Sequence, residues 1–245
     1  MRSRVHPRRR RLVERTVGAA ALLAAAVAVA LGLVVAPTDA VQGEPQRLMY
    51  VHVPAAWVAY LAFAGVLAAS VGYLARRGLA WDRRAQAAAE VGVALTALTI
   101  VTGSLWGRPV WGVWWTWEPR LITTAVLLLI YVGYVALRSL PADPHRTALR
   151  AAGLGIVAFV NVPIVHFSVV WWRTLHQPAT VLRPGGPAPI EPEMLASLLT
   201  ATAAFTLAGV WVWLRRARRL SGRAVQPRPD EEVDTPAIVV ERRSP

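Results

Sequence analysis

Along this chain apolar residues gather into blocks of roughly 20, separated by short polar connections. The blocks run from Thr16 to Ala36, Val51 to Ala75, Ala85 to Leu105, Leu121 to Leu137, Leu149 to Val170 and Met194 to Leu214. A hydrocarbon layer about 30 Å thick is crossed by about 20 helical residues, so each block predicts one spanning helix. The connections carry turn chemistry at Pro37 and Asp39, Arg77-Gly78, Pro141 to Pro144, and Pro184 to Pro189. The expected fold is therefore all-α, a polytopic bundle of six transmembrane helices. Residues 1–15 read as a basic N-terminal arm, 16–214 as the membrane domain with a tryptophan-rich loop at 106–120, and 215–245 as a tail. The Pro, Arg and acidic residues from Ser221 onward predict disorder in that tail.

Composition agrees: 55% of the residues are hydrophobic, more than a soluble domain of this length usually carries. The formal charge of +13 would point to nucleic acid only if the cations sat on a folded soluble surface. Here they lie between apolar blocks, and no nucleic-acid partner is expected. The partner surface is membrane lipid. Five arginines, Arg47, Arg108, Arg120, Arg173 and Arg183, fall on one set of connections; the other set and the two ends hold the remaining 22 of 27. Cationic loops are retained on the cytoplasmic side, which predicts a multi-pass bacterial inner-membrane protein with both termini cytoplasmic. The connections before Val51, around Trp111 and around His176 then face outward. A basic start, an apolar run and small residues near Ala40 also fit a signal peptide. The run is longer than the usual signal core of about 7 to 15 residues, and cleavage would leave the same outward loops. With no cysteine, the chain itself has no disulfide or thiolate chemistry.

The segment Trp106-Gly-Arg-Pro-Val-Trp111-Gly-Val-Trp114-Trp115-Thr-Trp117-Glu118-Pro-Arg120 holds five of the chain's eleven tryptophans. An interfacial belt, with indoles at headgroup level, accounts for one or two of them. A run held between Gly107, Pro109, Gly112 and Pro119 instead points to a shaped loop that offers several aromatic faces to a large flat ligand. Glu118 is the one acid in the segment and is bracketed by Arg108 and Arg120. These form either a local ion pair of little energetic weight or a guanidinium fork for ligand carboxylates.

His6 and His145 lie among cytoplasmic arginines and read as solvated. His52 opens the second span, with Pro54 close behind, and His176 follows the fifth. Both are expected on the face of the tryptophan loop, where they are either ordinary polar residues or iron ligands. His166, near the outer end of the fifth span, reads as a structural imidazole bonded to a neighbouring helix through Asn161 or Ser168, and as the reserve ligand. The outward acids Asp39, Glu44, Glu118, Glu191 and Glu193 are scattered without a motif spacing. No phosphate-binding glycine loop, metal motif or nucleophile setting is present. The chain is not expected to be an enzyme, and active transport would need a partner.

The segment from Trp111 to Thr123 closely resembles the tryptophan-rich haem-handling signature of the CcmC family of cytochrome c maturation. Tyr50-Val-His-Val-Pro-Ala-Ala56 resembles that family's first histidine motif, and Asn161 to Gln177 its second. The resemblance runs from about Arg47 to His176 in the same order. It implies that the outward loop, through Trp111, Gly112, Trp114, Trp115, Trp117, Glu118, Arg108 and Arg120, holds haem b, with His52 and His176 as the axial metal ligands. It further implies delivery to the haem chaperone CcmE, alongside the ABC-type subunits CcmA and CcmB. The signature's usual Asp is Glu118 here, one methylene longer with the same charge.

Three other readings stand beside this one. A cytochrome c synthase carries a similar tryptophan signature, but its motif usually continues differently after the acid and comes with further spans or a large outward domain. A quinol-linked haem b redox subunit would bury facing histidine pairs inside the bundle. A Trp-platform transporter for another flat or sugar ligand would place several polar side chains beside the indoles.

Overall fold

The computed structural model describes residues 7–140, 142–177 and 190–223. His6, Arg183, the turn at Pro184 to Pro189 and the tail beyond Arg223 lie outside the described residues. Most of the described residues lie in seven α-helices: α1 (Pro7–Ala30), α2 (Met49–Arg76), α3 (Leu79–Trp111), α4 (Pro119–Ala136), α5 (Pro144–Phe159), α6 (Asn161–Trp171) and α7 (Pro192–Arg223). Six stretches are long and apolar enough to cross a membrane, with α5 and α6 forming one of them. The chain is an all-α, multi-pass membrane protein.

Local chemistry sets the helix ends. α2 stops where Arg77 turns left-handed and its N–H reaches the Tyr73 carbonyl at 2.7 Å. α3 stops at Gly112, whose φ of 81° suits a residue without Cβ. Pro119 occupies the first turn of α4 and Pro144 that of α5, where a missing N–H costs nothing. The Asp143 carboxylate accepts the Arg146 N–H at 2.9 Å, a side-chain cap for α5. Pro163 cannot donate to the Phe159 carbonyl one turn earlier, and the span breaks at Val160 into α5 and α6. α1 runs on into a π-helical turn, Leu31–Val35, which Arg47 closes by donating to the Gly32 and Ala36 carbonyls. The arm expected at 1–15 is thus helical from Pro7, and α7 continues nine residues past Leu214 to Arg223.

α2 runs through the middle of the bundle against α3, α5 and α7, while α1 lies along α7. Alanines on α3 (Ala85, Ala88, Ala89) let α2 come close. A side chain on Gly92 would run into the Phe63 ring, which stacks on Tyr131 of α4 at 3.7 Å. Nearby, the Arg138 fork meets both Asp82 oxygens at 2.8 and 2.9 Å. It also donates to the Tyr134 hydroxyl at 2.7 Å. This buried network ties the start of α3 to the end of α4 and the turn after it at the arginine-rich end, while at the opposite one a space remains between α2, α3 and α4.

Candidate functional site

At that opposite end a cavity of about 260 Å³ opens between α2, α3, α4 and the connection after α6. His52, Trp106, Trp111, Trp114, Trp115, Arg120 and His176 all line it. α2 delivers His52 from its first turn, α3 ends in Trp106 and Trp111, and the stretch from Gly112 to Glu118 folds Trp114 and Trp115 back over the opening.

The two imidazoles stand with ring centres 6.2 Å apart and planes inclined by 36°. Two imidazoles sharing one metal, each with a nitrogen about 2.0–2.1 Å from it, hold their centres about 6 Å apart. Each ring is oriented from behind. His52 Nδ1 lies 3.0 Å from the Thr99 carbonyl and 3.3 Å from the Thr102 hydroxyl. His176 Nδ1 lies 2.9 Å from the Gln177 carbonyl. A carbonyl only accepts, so in both rings Nδ1 carries the proton and donates it, leaving the Nε2 lone pair free for a metal. Gly103 makes room for this: a Cβ there would stand 2.9 Å from His52 Cε1. Burial, followed by the positive charge of Arg120, lowers the His176 pKa to about 4, so that ring is neutral at physiological pH.

The connection carrying His176 is fastened at two points. Glu118 Oε2 accepts from the Thr174 hydroxyl at 2.5 Å and from the Leu175 N–H at 2.6 Å, and the same hydroxyl accepts the His176 N–H at 3.1 Å. Gln42 donates to Gln177 at 3.2 Å and accepts the Trp106 indole N–H at 2.8 Å. The other expected residues divide. Arg108 does not line the cavity; it donates to the Gly112 carbonyl at 2.8 Å and closes the turn. Trp117 is 83% exposed and meets Trp115 edge-on at 5.8 Å. Arg120 faces the cavity while donating to the Val165 and His166 carbonyls at 3.3 and 3.2 Å. Its guanidinium meets no carboxylate among the described residues, so Arg108, Glu118 and Arg120 do not form the local ion pair that their order allowed.

His166 lies outside the cavity on an exposed face of α6, edge-on to Tyr60 at 6.2 Å and Phe167 at 4.9 Å. The bonds expected for it are not made. Asn161 donates to the Thr123 carbonyl at 3.0 Å and Ser168 to the Val165 carbonyl at 2.7 Å, because the break at Val160 turns Asn161 toward α4 and Ser168 bonds within its own helix.

A family model described as Heme exporter protein C matches residues 4–227. The chain belongs to that family. A Heme exporter protein C from Bradyrhizobium diazoefficiens is 43% identical over 198 residues, 80% of this chain and 75% of its own. One from Escherichia coli K12 is 40% identical over 187 residues, 76% of this chain and 74% of its own. A ccmC-like mitochondrial protein of cytochrome c biosynthesis from Marchantia polymorpha is 37% identical over 180 residues, 74% of this chain and 75% of its own.

Several residues of the site had not been singled out in the sequence. Thr96, Thr99 and Thr102 recur every three positions on α3, all buried, and a polar stripe in an apolar span is a legible sign of an inward face. Gln42 and Thr174 carry no such sign, since their partners lie 64 and 56 residues away.

Proposed function

We propose that this chain binds haem in the cavity below the tryptophan stretch, with His52 and His176 as the two axial ligands, and passes it to a haem chaperone during cytochrome c maturation. One observation carries the reading: two neighbouring imidazoles, each with Nδ1 held by a backbone carbonyl and Nε2 left free. Porphyrin iron brings four nitrogens of its own and takes axial ligands from the protein. The remaining surroundings fit such a ligand. Trp106, Trp111, Trp114 and Trp115 supply aromatic faces, and Arg120, which has no acidic partner among the described residues, supplies a cation for a propionate. Trp115 keeps a buried indole N–H with no acceptor among the described residues.

The relatives' names point to haem export and cytochrome c biosynthesis, and the arginine distribution supports a cavity that opens on the outer face of a bacterial inner membrane. Delivery requires that holding be reversible, so that a ligand from CcmE displaces one imidazole, with CcmA and CcmB as the attached ATPase and membrane subunits. The test is an absorption spectrum of the detergent-purified parent beside His52→Ala and His176→Ala, each co-expressed with the chaperone. Soret and α bands in the parent that weaken in both variants, with unchanged membrane insertion, support the assignment. Bands of parental strength in both variants overturn it, and no bands in any sample give the cavity to another flat or sugar ligand.

A further inference from the structure

A second opening lies toward the arginine-rich end, between α3 and α7, on the outside of the bundle. It is a groove of about 470 Å³ with apolar walls from Val91, Leu95, Phe205 and Val212, and it ends at Arg215 and Arg219. We propose that this groove holds one anionic phospholipid, an acyl chain along the two helices and the phosphate at the arginine rim.

Dimensions support this occupant. From Phe205 to Arg219 the groove follows α7 for about 21 Å of helix axis. One leaflet of a bilayer about 40–45 Å thick with its headgroups measures about half of that.

Charge selects the headgroup. Glu90, the acid on the groove wall, is taken up by Arg216, whose Nη2 donates to its other oxygen at 2.8 Å. Glu14 is held by Arg218 at 2.8 and 3.0 Å and stands 3.5 Å from Arg215 Nε. The Arg215 guanidinium rests 4.8 Å over the Trp211 ring, which fixes it at the rim. Arg219, one turn further, is exposed and has no acidic partner among the described residues. The rim is therefore net positive. A zwitterionic headgroup brings an ammonium into repulsion with these cations, and a net-negative one does not.

The experiment is native mass spectrometry of the full chain released from detergent micelles after mixing with equal amounts of phosphatidylglycerol and phosphatidylethanolamine. The parent retains phosphatidylglycerol in preference, and Arg215→Gln/Arg219→Gln weakens that preference by about fivefold per arginine. Arg150→Gln, a change at an exposed cation on α5, leaves the preference intact. Val212→Trp fills the groove and lowers retention of both lipids with every arginine in place. Equal retention of the two lipids by the parent overturns the proposal. So does an unchanged preference in the double variant, or a co-purifying membrane polypeptide that displaces the lipid.

Discussion

Single atoms decide whether the two imidazoles can act together. The Thr99 carbonyl, not the Thr102 hydroxyl, is the closer partner of His52 Nδ1, at 3.0 against 3.3 Å. Thr102→Val should therefore leave haem occupancy close to parental, whereas Gly103→Val should lower it at least as far as His52→Ala does, because the branched side chain drives into the ring. Quantified Soret absorbance per protein checks both, and the idea fails if the two variants bind equally. Glu118 acts on His176 at one remove, through Thr174 and the Leu175 N–H. Losing a buried charge-assisted acceptor costs about 1–3 kcal/mol, so Glu118→Ala should release haem to excess apomyoglobin roughly tenfold or more faster. Glu118→Gln keeps one acceptor oxygen and should fall between. If Glu118→Ala matched His176→Ala in occupancy at equilibrium, the carboxylate would be doing more than positioning that connection. The histidines and tryptophans were legible as residue types, since imidazole and clustered indole are rare in apolar sequence. Their second partners were not: carbonyls carry no sequence signature, and nothing in the order Arg108, Glu118, Arg120 says that the first closes a turn, the second clasps a distant connection and the third faces the cavity.

Helices extend beyond the apolar blocks that reveal them, because hydropathy marks only the part of a helix that faces hydrocarbon. α3 overruns its block by six residues at each end, and Trp106 and Trp111 consequently belong to its last turns, leaving only Gly112 to Glu118 outside helices. The division of the fifth block was foreshadowed by Pro163 but not located by it. At this scale the Asp82–Arg138–Tyr134 network is the clearest lever, since removing one partner of a buried ion pair strands the other. Asp82→Ala should cost about 3–5 kcal/mol and lower the thermal midpoint followed by tryptophan fluorescence in detergent. Because the network sits at the end opposite the cavity, haem bands per folded protein should stay parental. A lost spectrum in folded Asp82→Ala would show that the two ends of the bundle are coupled.

For the whole molecule, the decisive question is which face of the membrane the cavity opens on, and the chain offers a direct way to ask it. It has no cysteine, so one introduced thiol reports its own side without background. Val41 is 93% and Val113 43% exposed, and both stand at the cavity end, beside Gln42 and within the tryptophan stretch. Ser139 and Ser221 are exposed at the other end, where Arg76, Arg138 and the arginines of α7 gather. Cationic segments resist translocation while acidic ones contribute little, so the uneven division of arginines predicts that Val41→Cys and Val113→Cys react with a membrane-impermeant maleimide in intact cells. Ser139→Cys and Ser221→Cys should react only after permeabilisation. The reverse pattern would put the histidine pair on the cytoplasmic side and remove the reason to expect delivery to an outward chaperone, even if the haem spectrum and both ligand variants behaved as expected. Labelling at all four positions in intact cells would mean that the spans do not alternate as their hydropathy requires. The expected pattern would join two independent observations, a charge bias spread over the entire chain and a pair of neighbouring histidines at one end of it, into a single direction for haem.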